Sequence, residues 1–164
     1  MFRFDKKDDC WVLWENNNIR VIAQKKANFP ASYGGHFVVE QKLGLKTPYD
    51  DYFVFAKMAV AAAVVQKGLE KLGLAPHANI QSNANWAFRE QDGSLSDTEK
   101  GRQKRNLHIH IYGRHPDDQR WADPIRPAFY REQQAGKYWN QVFPEEKLEQ
   151  LSYFISNEMP IFHS

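Results

Sequence analysis

Between Asn106 and Ile111 polar and apolar side chains alternate without a break: Asn106, Leu107, His108, Ile109, His110, Ile111. Successive side chains of a strand point to opposite faces, so this run fits a strand with one face in a core. Leu107, Ile109 and Ile111 belong to that buried face. Asn106, His108, His110 and Tyr112 line the other, about 7 Å apart along the strand. Two imidazoles beside an amide form a polar site, whereas a face that met only solvent would more usually carry Lys, Glu or Thr. A single strand cannot bury three aliphatic side chains alone, so the rest of the chain must supply a sheet and a covering layer.

The remaining pattern supplies both. Residues 11–15 and 19–24 read as strands, separated by Asn16, Asn17 and Asn18. Asparagines tolerate left-handed backbone, which predicts a hairpin turn there. Asn28–Gly35 is a loop of turn formers, and His36–Lys42 reads as a further strand. Thr47, Pro48, Asp50 and Asp51 resemble a helix start, and the helix should run over about 50–72 with Gly73 ending it. Asn79–Trp86 reads as a strand and Arg89–Arg105 as a long polar loop. Pro144 precedes a last helix over Glu145–Asn157, where Leu148, Leu151, Phe154 and Ile155 recur at helical spacing. The expected fold class is α+β: a mainly antiparallel sheet of about five strands, one long central helix and a C-terminal helix. With 164 residues, one domain spanning 1–164 is expected, its core over about 11–115 and an extension over 116–164.

Composition narrows the function classes. Eleven Phe, seven Tyr and five Trp supply a sizeable core, which excludes a disordered chain. A net charge of +2 leaves only local basic patches to argue for nucleic acid. The single cysteine, Cys10, excludes an internal disulfide framework and a zinc site built of cysteines; it reads as a small packed side chain. The most apolar stretch, Tyr52–Val65, holds five alanines and only Lys57 as a charge. At fourteen residues it falls short of the ~20 that span a bilayer and reads as a buried helix. No signal-like apolar run follows Met1, and a cytoplasmic location is expected.

Three readings of the histidine strand stand side by side. The rings are partly buried, hydrogen-bonded residues; or His108 and His110 join a distant third histidine such as His36 to hold zinc; or one imidazole attacks phosphorus while its neighbours offset charge. Here the order of parts resembles the histidine triad superfamily. That family writes its triad as three histidines alternating with apolar residues on its last strand. This chain has Asn106, His108 and His110, followed by Tyr112-Gly113-Arg114. The family's upstream strand opens Gly-His, continues apolar and ends Pro-Lys; here it is Gly35-His36-Phe37-Val38-Val39-Glu40-Gln41-Lys42. A long helix and a strand ending in asparagine lie between, here about 50–72 and 79–83. The resemblance covers roughly 11–115.

The resemblance implies a nucleotide hydrolase or nucleotidyl transferase acting at the α-phosphate of a nucleotide conjugate, as in bacterial members that hydrolyse diadenosine polyphosphates. His108 would attack and form a nucleotidyl-histidine, His110 would donate to the phosphate or leaving group, and His36 would lie near the phosphates. Asn106 takes the first triad position and Asn83 matches an asparagine near the nucleotide. No cofactor and no metal are implied. The partner would be a dinucleoside polyphosphate or nucleoside phosphoramidate rather than nucleic acid or a membrane, and a homodimer is expected. The alternatives are a nucleotide-binding module without catalysis and a histidine metal site. Three features depart from the family: asparagine at 106, Tyr112-Gly113 in place of an apolar residue and proline, and the segment 86–105 in place of a short Gly-rich stretch. Within that segment Lys100, Arg102, Lys104 and Arg105 pack four cations into six residues, read as a clamp for an anionic leaving group. Trp121, Tyr130, Tyr138 and Trp139 read as packing residues.

Overall fold

The computed structural model describes residues 2–25, 27, 29–45, 47–82, 106–116 and 140–159. Six strands form one antiparallel sheet: β1 (Arg3–Asp5), β2 (Cys10–Glu15), β3 (Ile19–Gln24), β4 (His36–Gln41), β5 (His77–Gln81) and β6 (His108–Arg114). They lie in the order β1-β2-β3-β4-β6-β5, so the histidine strand is interior. Two helices, α1 (Tyr52–Lys71) and α2 (Glu145–Glu158), accompany the sheet.

The sheet has one strand more than the alternation predicted. Three residues carry too short a pattern to read, and Arg3–Asp5 is held by pairing with Asp5↔Cys10 and Phe4↔Trp11 in register. The Phe4 ring meets the Trp11 ring edge-on at 4.7 Å. The hairpin between β2 and β3 is present, but its device differs from the one expected. Asn16 Oδ1 accepts the N–H groups of Asn18 and Ile19 at 2.8 and 2.9 Å, an Asx turn. Among the described residues only Asp9 and Asn140 have positive φ outside glycine, so no asparagine of the turn needs left-handed backbone. β5 starts two residues before the predicted strand, and the predicted residues 83–86 lie outside the described ones.

α1 begins where the acidic pair stands: Asp51 Oδ1 accepts from Phe53 and Val54 N–H at 2.9 and 3.0 Å, satisfying two orphan donors of the first turn. It ends at Leu72, with Gly73 at φ +64°. By length and apolar composition alone this 20-residue helix would cross a bilayer; what its inward stripe of Val54, Met58, Ala61, Ala62, Val65 and Leu69 meets is the sheet. Val21, Val39, Ile109 and Ile111 come up from the strands to that core, and α2 adds Leu148, Leu151 and Ile155. Gly68 makes the helix pair possible: a Cβ there would stand 2.6 Å from Leu151 Cδ1. α2 is tied to β2 by Ser152 Oγ, which donates to the Leu13 carbonyl.

The other sheet face carries no α-helix among the described residues; a short 3-10 turn, Ala31–Tyr33, lies near its Tyr112 end. Cys10, Val12, Ile22 and Val38 form a small apolar cluster on it. One end of this face is fixed by main chain against main chain. Gly113 N–H donates to the Gly35 carbonyl at 3.0 Å, and Gly34, at φ +111°, lies so close that its Cβ would be 2.5 Å from Gly113 carbonyl carbon. A side chain at Gly113 would overlap the Gly34 carbonyl. This is the physical reason for glycine at position 113. Gly113→Ala is expected to destabilise the fold by about 3 kcal/mol or more, since rigid backbone must move. Gly44→Ala, with nothing near its Cβ but φ +78°, should cost only the ~1–2 kcal/mol of left-handed strain. Urea denaturation of the two variants checks the contrast; equal losses would mean the 34–113 contact is not tight.

Candidate active site

β4 and β6 pair with Glu40↔His108, Val38↔His110 and His36↔Tyr112 in register. Strand alternation therefore brings His36, Glu40, His108, His110 and Tyr112 to the open face, while Phe37, Val39, Ile109 and Ile111 join the core. His36 and His110 are buried, and His108 is half-exposed.

The three imidazoles are joined nitrogen to nitrogen. His36 Nε2 lies 2.9 Å from His110 Nδ1, and His110 Nε2 lies 3.1 Å from His108 Nε2. His108 Nδ1 lies 2.8 Å from the Asn106 main-chain carbonyl. A carbonyl only accepts, so His108 Nδ1 carries a proton and donates. In the neutral ring Nε2 is then a lone pair, and the His110 Nε2–H facing it donates. His110 Nδ1 is left to accept from His36 Nε2–H. The pattern of partners thus assigns one tautomer to each ring, with every N–H directed toward residue 106. Tyr112 backs the chain, its ring 4.5 Å from that of His36 and nearly parallel to it.

Burial keeps His36 neutral. Removal from water, and then the proximity of His108, push its pKa down to about 3. The unfolded chain takes up a proton on this residue near ~6.5. Between those values the unfolded state binds more protons than the native one, so stability is full above ~6.5 and falls as pH drops toward 3. The loss from this group is at most about 1.4 kcal/mol per pH unit. Urea midpoints at pH 7, 5.5 and 4.5 should fall in the wild type, and His36→Asn should flatten that fall. Parallel pH dependences of the two proteins would show that His36 does not carry it.

Beside His108 an open cleft of about 800 Å³ runs over the sheet, lined by Arg3, Glu15, Arg20, Glu40, Lys42, Asn106, His108 and His110 among others. His36 is not in its lining; it stands behind His110. The cations there are held by carboxylates: Arg3 by Glu15 at 2.8 Å, Lys42 by Glu15 at 3.2 Å, and Arg20 by both Glu40 and Asp8 at 2.7 Å. Partial burial would push the Arg20 guanidinium down, but Asp8 and Glu40 outweigh it and hold the pKa above the usual arginine value.

The sequence brought His36, Asn106, His108 and His110 forward, and the structure puts all four in one hydrogen-bonded group. Asn106 enters it through its main-chain carbonyl. Asn83, Arg102, Lys104 and Arg105, with Trp121, Tyr130, Tyr138 and Trp139, lie outside the described residues. Arg20 and Glu40 were missed, although the alternation of the His36 strand already places Glu40 on the histidine face. Cys10 is packed at 1% exposure and burial pushes its thiol up to about 12, which leaves it unreactive. Among the described residues no three His, Cys, Asp or Glu side chains are grouped to hold a metal. Both ring nitrogens of His110 face other histidines instead of a common centre.

No protein-family model matches the chain and no curated protein matches it in sequence. Solved structures do. A histidine triad protein from Sinorhizobium meliloti 1021 superposes with a TM-score of 0.57 at 17% identity, covering 96% of each chain. A zinc-bound histidine triad family protein from Mycobacterium smegmatis gives 0.53 at 18% identity over 90% of this chain and 84% of its own. A histidine triad protein from Marinobacter aquaeolei VT8 gives 0.52 at 16% identity over 94% and 98%. These superpositions extend over nine-tenths or more of the chain: this chain has the histidine triad fold.

Proposed function

We propose that the chain binds a nucleotide and cleaves a nucleotide conjugate at its α-phosphate, with His108 as nucleophile. The observation that carries this reading is the direction of the N–H chain. His108 Nδ1 is committed to the Asn106 carbonyl, so the lone pair sits on Nε2, and both His108 and His110 line a cleft of about 800 Å³, within the ~300–1,000 Å³ of small-molecule sites. His108 Nε2 forms the bond to phosphorus while the bond to the leaving group breaks, the leaving group departing with the electron pair. Once Nε2 is bonded to phosphorus, His110 Nε2–H loses its acceptor and turns to a phosphoryl or leaving oxygen. Water then displaces the imidazole, so one hard displacement becomes two easier ones. His36 holds the His110 ring and its tautomer.

Dinucleoside polyphosphates and nucleoside phosphoramidates are the substrate classes of this reading. We place the protein in the cytoplasm, and we read it as a homodimer, the dimer being supported by the exposed Tyr52, Phe53 and Val60 on α1. Release of AMP from diadenosine polyphosphates and adenosine phosphoramidates is the assay. His108→Ala should reduce it by ~10³-fold or more, and His110→Ala by ~10²–10³-fold as for a lost oxyanion donor. Equal activity of His108→Ala and wild type removes His108 as the nucleophile. Binding of AMP without turnover of either conjugate class would leave a nucleotide-binding module.

Two further outcomes follow from the geometry. Asn106→Ala and Asn106→His should each stay within about threefold of wild type, because the carbonyl that accepts from His108 is retained; a loss beyond tenfold would show that the asparagine side chain takes part. Turnover should also survive a chelator. Elemental analysis finding about one zinc per chain, lost in His110→Ala, would favour the metal reading.

A further inference from the structure

Across the open face four side chains stand in one straight row. The register pairs Glu15 with Arg20, Arg20 with Glu40, and Glu40 with His108, so the row crosses β2, β3, β4 and β6 with signs that alternate and ends on the imidazole. Directly opposed side chains on one face have Cβ atoms about 4.5–5.5 Å apart. Glu40 is therefore one strand from His108, and Arg20 is two. The guanidinium holds the carboxylate firmly, with Nε 2.8 Å and Nη2 2.7 Å from Oε2. Asp8 anchors the guanidinium as well, its Oδ2 accepting from the same Nη2 at 2.7 Å. The Arg20 and Glu40 side chains keep 21% and 26% of their exposure, so solvent screens the pair less than it would a free surface pair.

The geometry points to Glu40 as a positioning residue for the nucleophile. Its carboxylate, fixed by Arg20, offsets the positive charge His108 acquires as it bonds to phosphorus. This rests on His108 being the nucleophile. In that step the Nε2–P bond forms, the bond from phosphorus to the leaving group breaks, and the ring keeps its Nδ1 proton, so the imidazole becomes a cation. The negative end of the Arg20–Glu40 pair is the nearer one, and its field favours that cation over the neutral ring. The carboxylate is in place before reaction, so no reorganisation is needed when charge appears.

Single-turnover cleavage of adenosine 5′-phosphoramidate, with steady-state KM and kcat, tests this in Glu40→Gln and Glu40→Asp. Inorganic phosphoramidate, which phosphorylates imidazole directly with loss of ammonia, reads the reactivity of His108 without any nucleotide. Glu40→Gln should slow both reactions about tenfold to a hundredfold while KM stays within about threefold, and Glu40→Asp should recover part of the rate. A Glu40→Gln rate equal to wild type overturns the proposal. So does a joint loss of KM, kcat and Tm with no recovery in Glu40→Asp, which would mark the pair as structural. If wild type cleaves no conjugate but inorganic phosphoramidate labels His108 faster than it does in Glu40→Gln, the conjugate reading fails and the role of Glu40 stands. If phosphoramidate labels another histidine in preference to His108, both fall.

Discussion

Three imidazoles joined nitrogen to nitrogen tolerate no slip between the strands that carry them. A shift of one residue between β4 and β6 would turn His36 and Glu40 into the core and bring Phe37 and Val39 out beside His110. The aliphatic face opposes that shift, since Val39, Ile109 and Ile111 are packed under α1. The contact of Gly34 with Gly113 opposes it from the end, because only two residues without Cβ can pass so closely. The register is thus fixed twice, by burial on one face and by backbone contact at the rim. The tautomers of the site inherit that precision.

The open face solves an electrostatic problem in two ways. Toward its buried end the sheet holds His36 as a neutral ring, and the ring nitrogens that face one another are matched donor to acceptor. Toward its wet end it accepts full charges, but in pairs: Arg3 with Glu15, Arg20 with Asp8 and Glu40. Isolated exposed pairs add little to stability, typically 0–1 kcal/mol each. Here the pairs serve more to hold orientation, because Arg20 on β3 reaches groups on three other segments: Asp5 of β1, Asp8 of the turn after it and Glu40 of β4. His108 lies at the boundary between the two regimes, half-exposed, with a buried neutral relay on one side and a field of fixed charges on the other.

Much of this was legible in the sequence because period-two alternation is unambiguous where one face is buried. The His36 strand, the histidine strand and the two helices were read within a residue or two, and the four central polar residues were named. The first strand escaped because its evidence is a partner, Trp11, and not a pattern. The turn at Asn16–Asn18 was placed correctly and explained wrongly: the composition of a turn does not say whether a backbone angle or a side-chain oxygen closes it. Glu40 was passed over because a glutamate on a strand looks like solvated surface. Its meaning depends on which residue stands across the ladder, and pairing is a property of the sheet rather than of the segment.

The contact from His108 to residue 106 reaches a carbonyl that the peptide unit supplies whatever side chain is attached. Holding the His108 tautomer through this contact therefore places no demand on the letter at position 106. A signature that demands histidine there is stricter than the geometry it stands for. A chain can differ from that signature at this one position and still keep the bond.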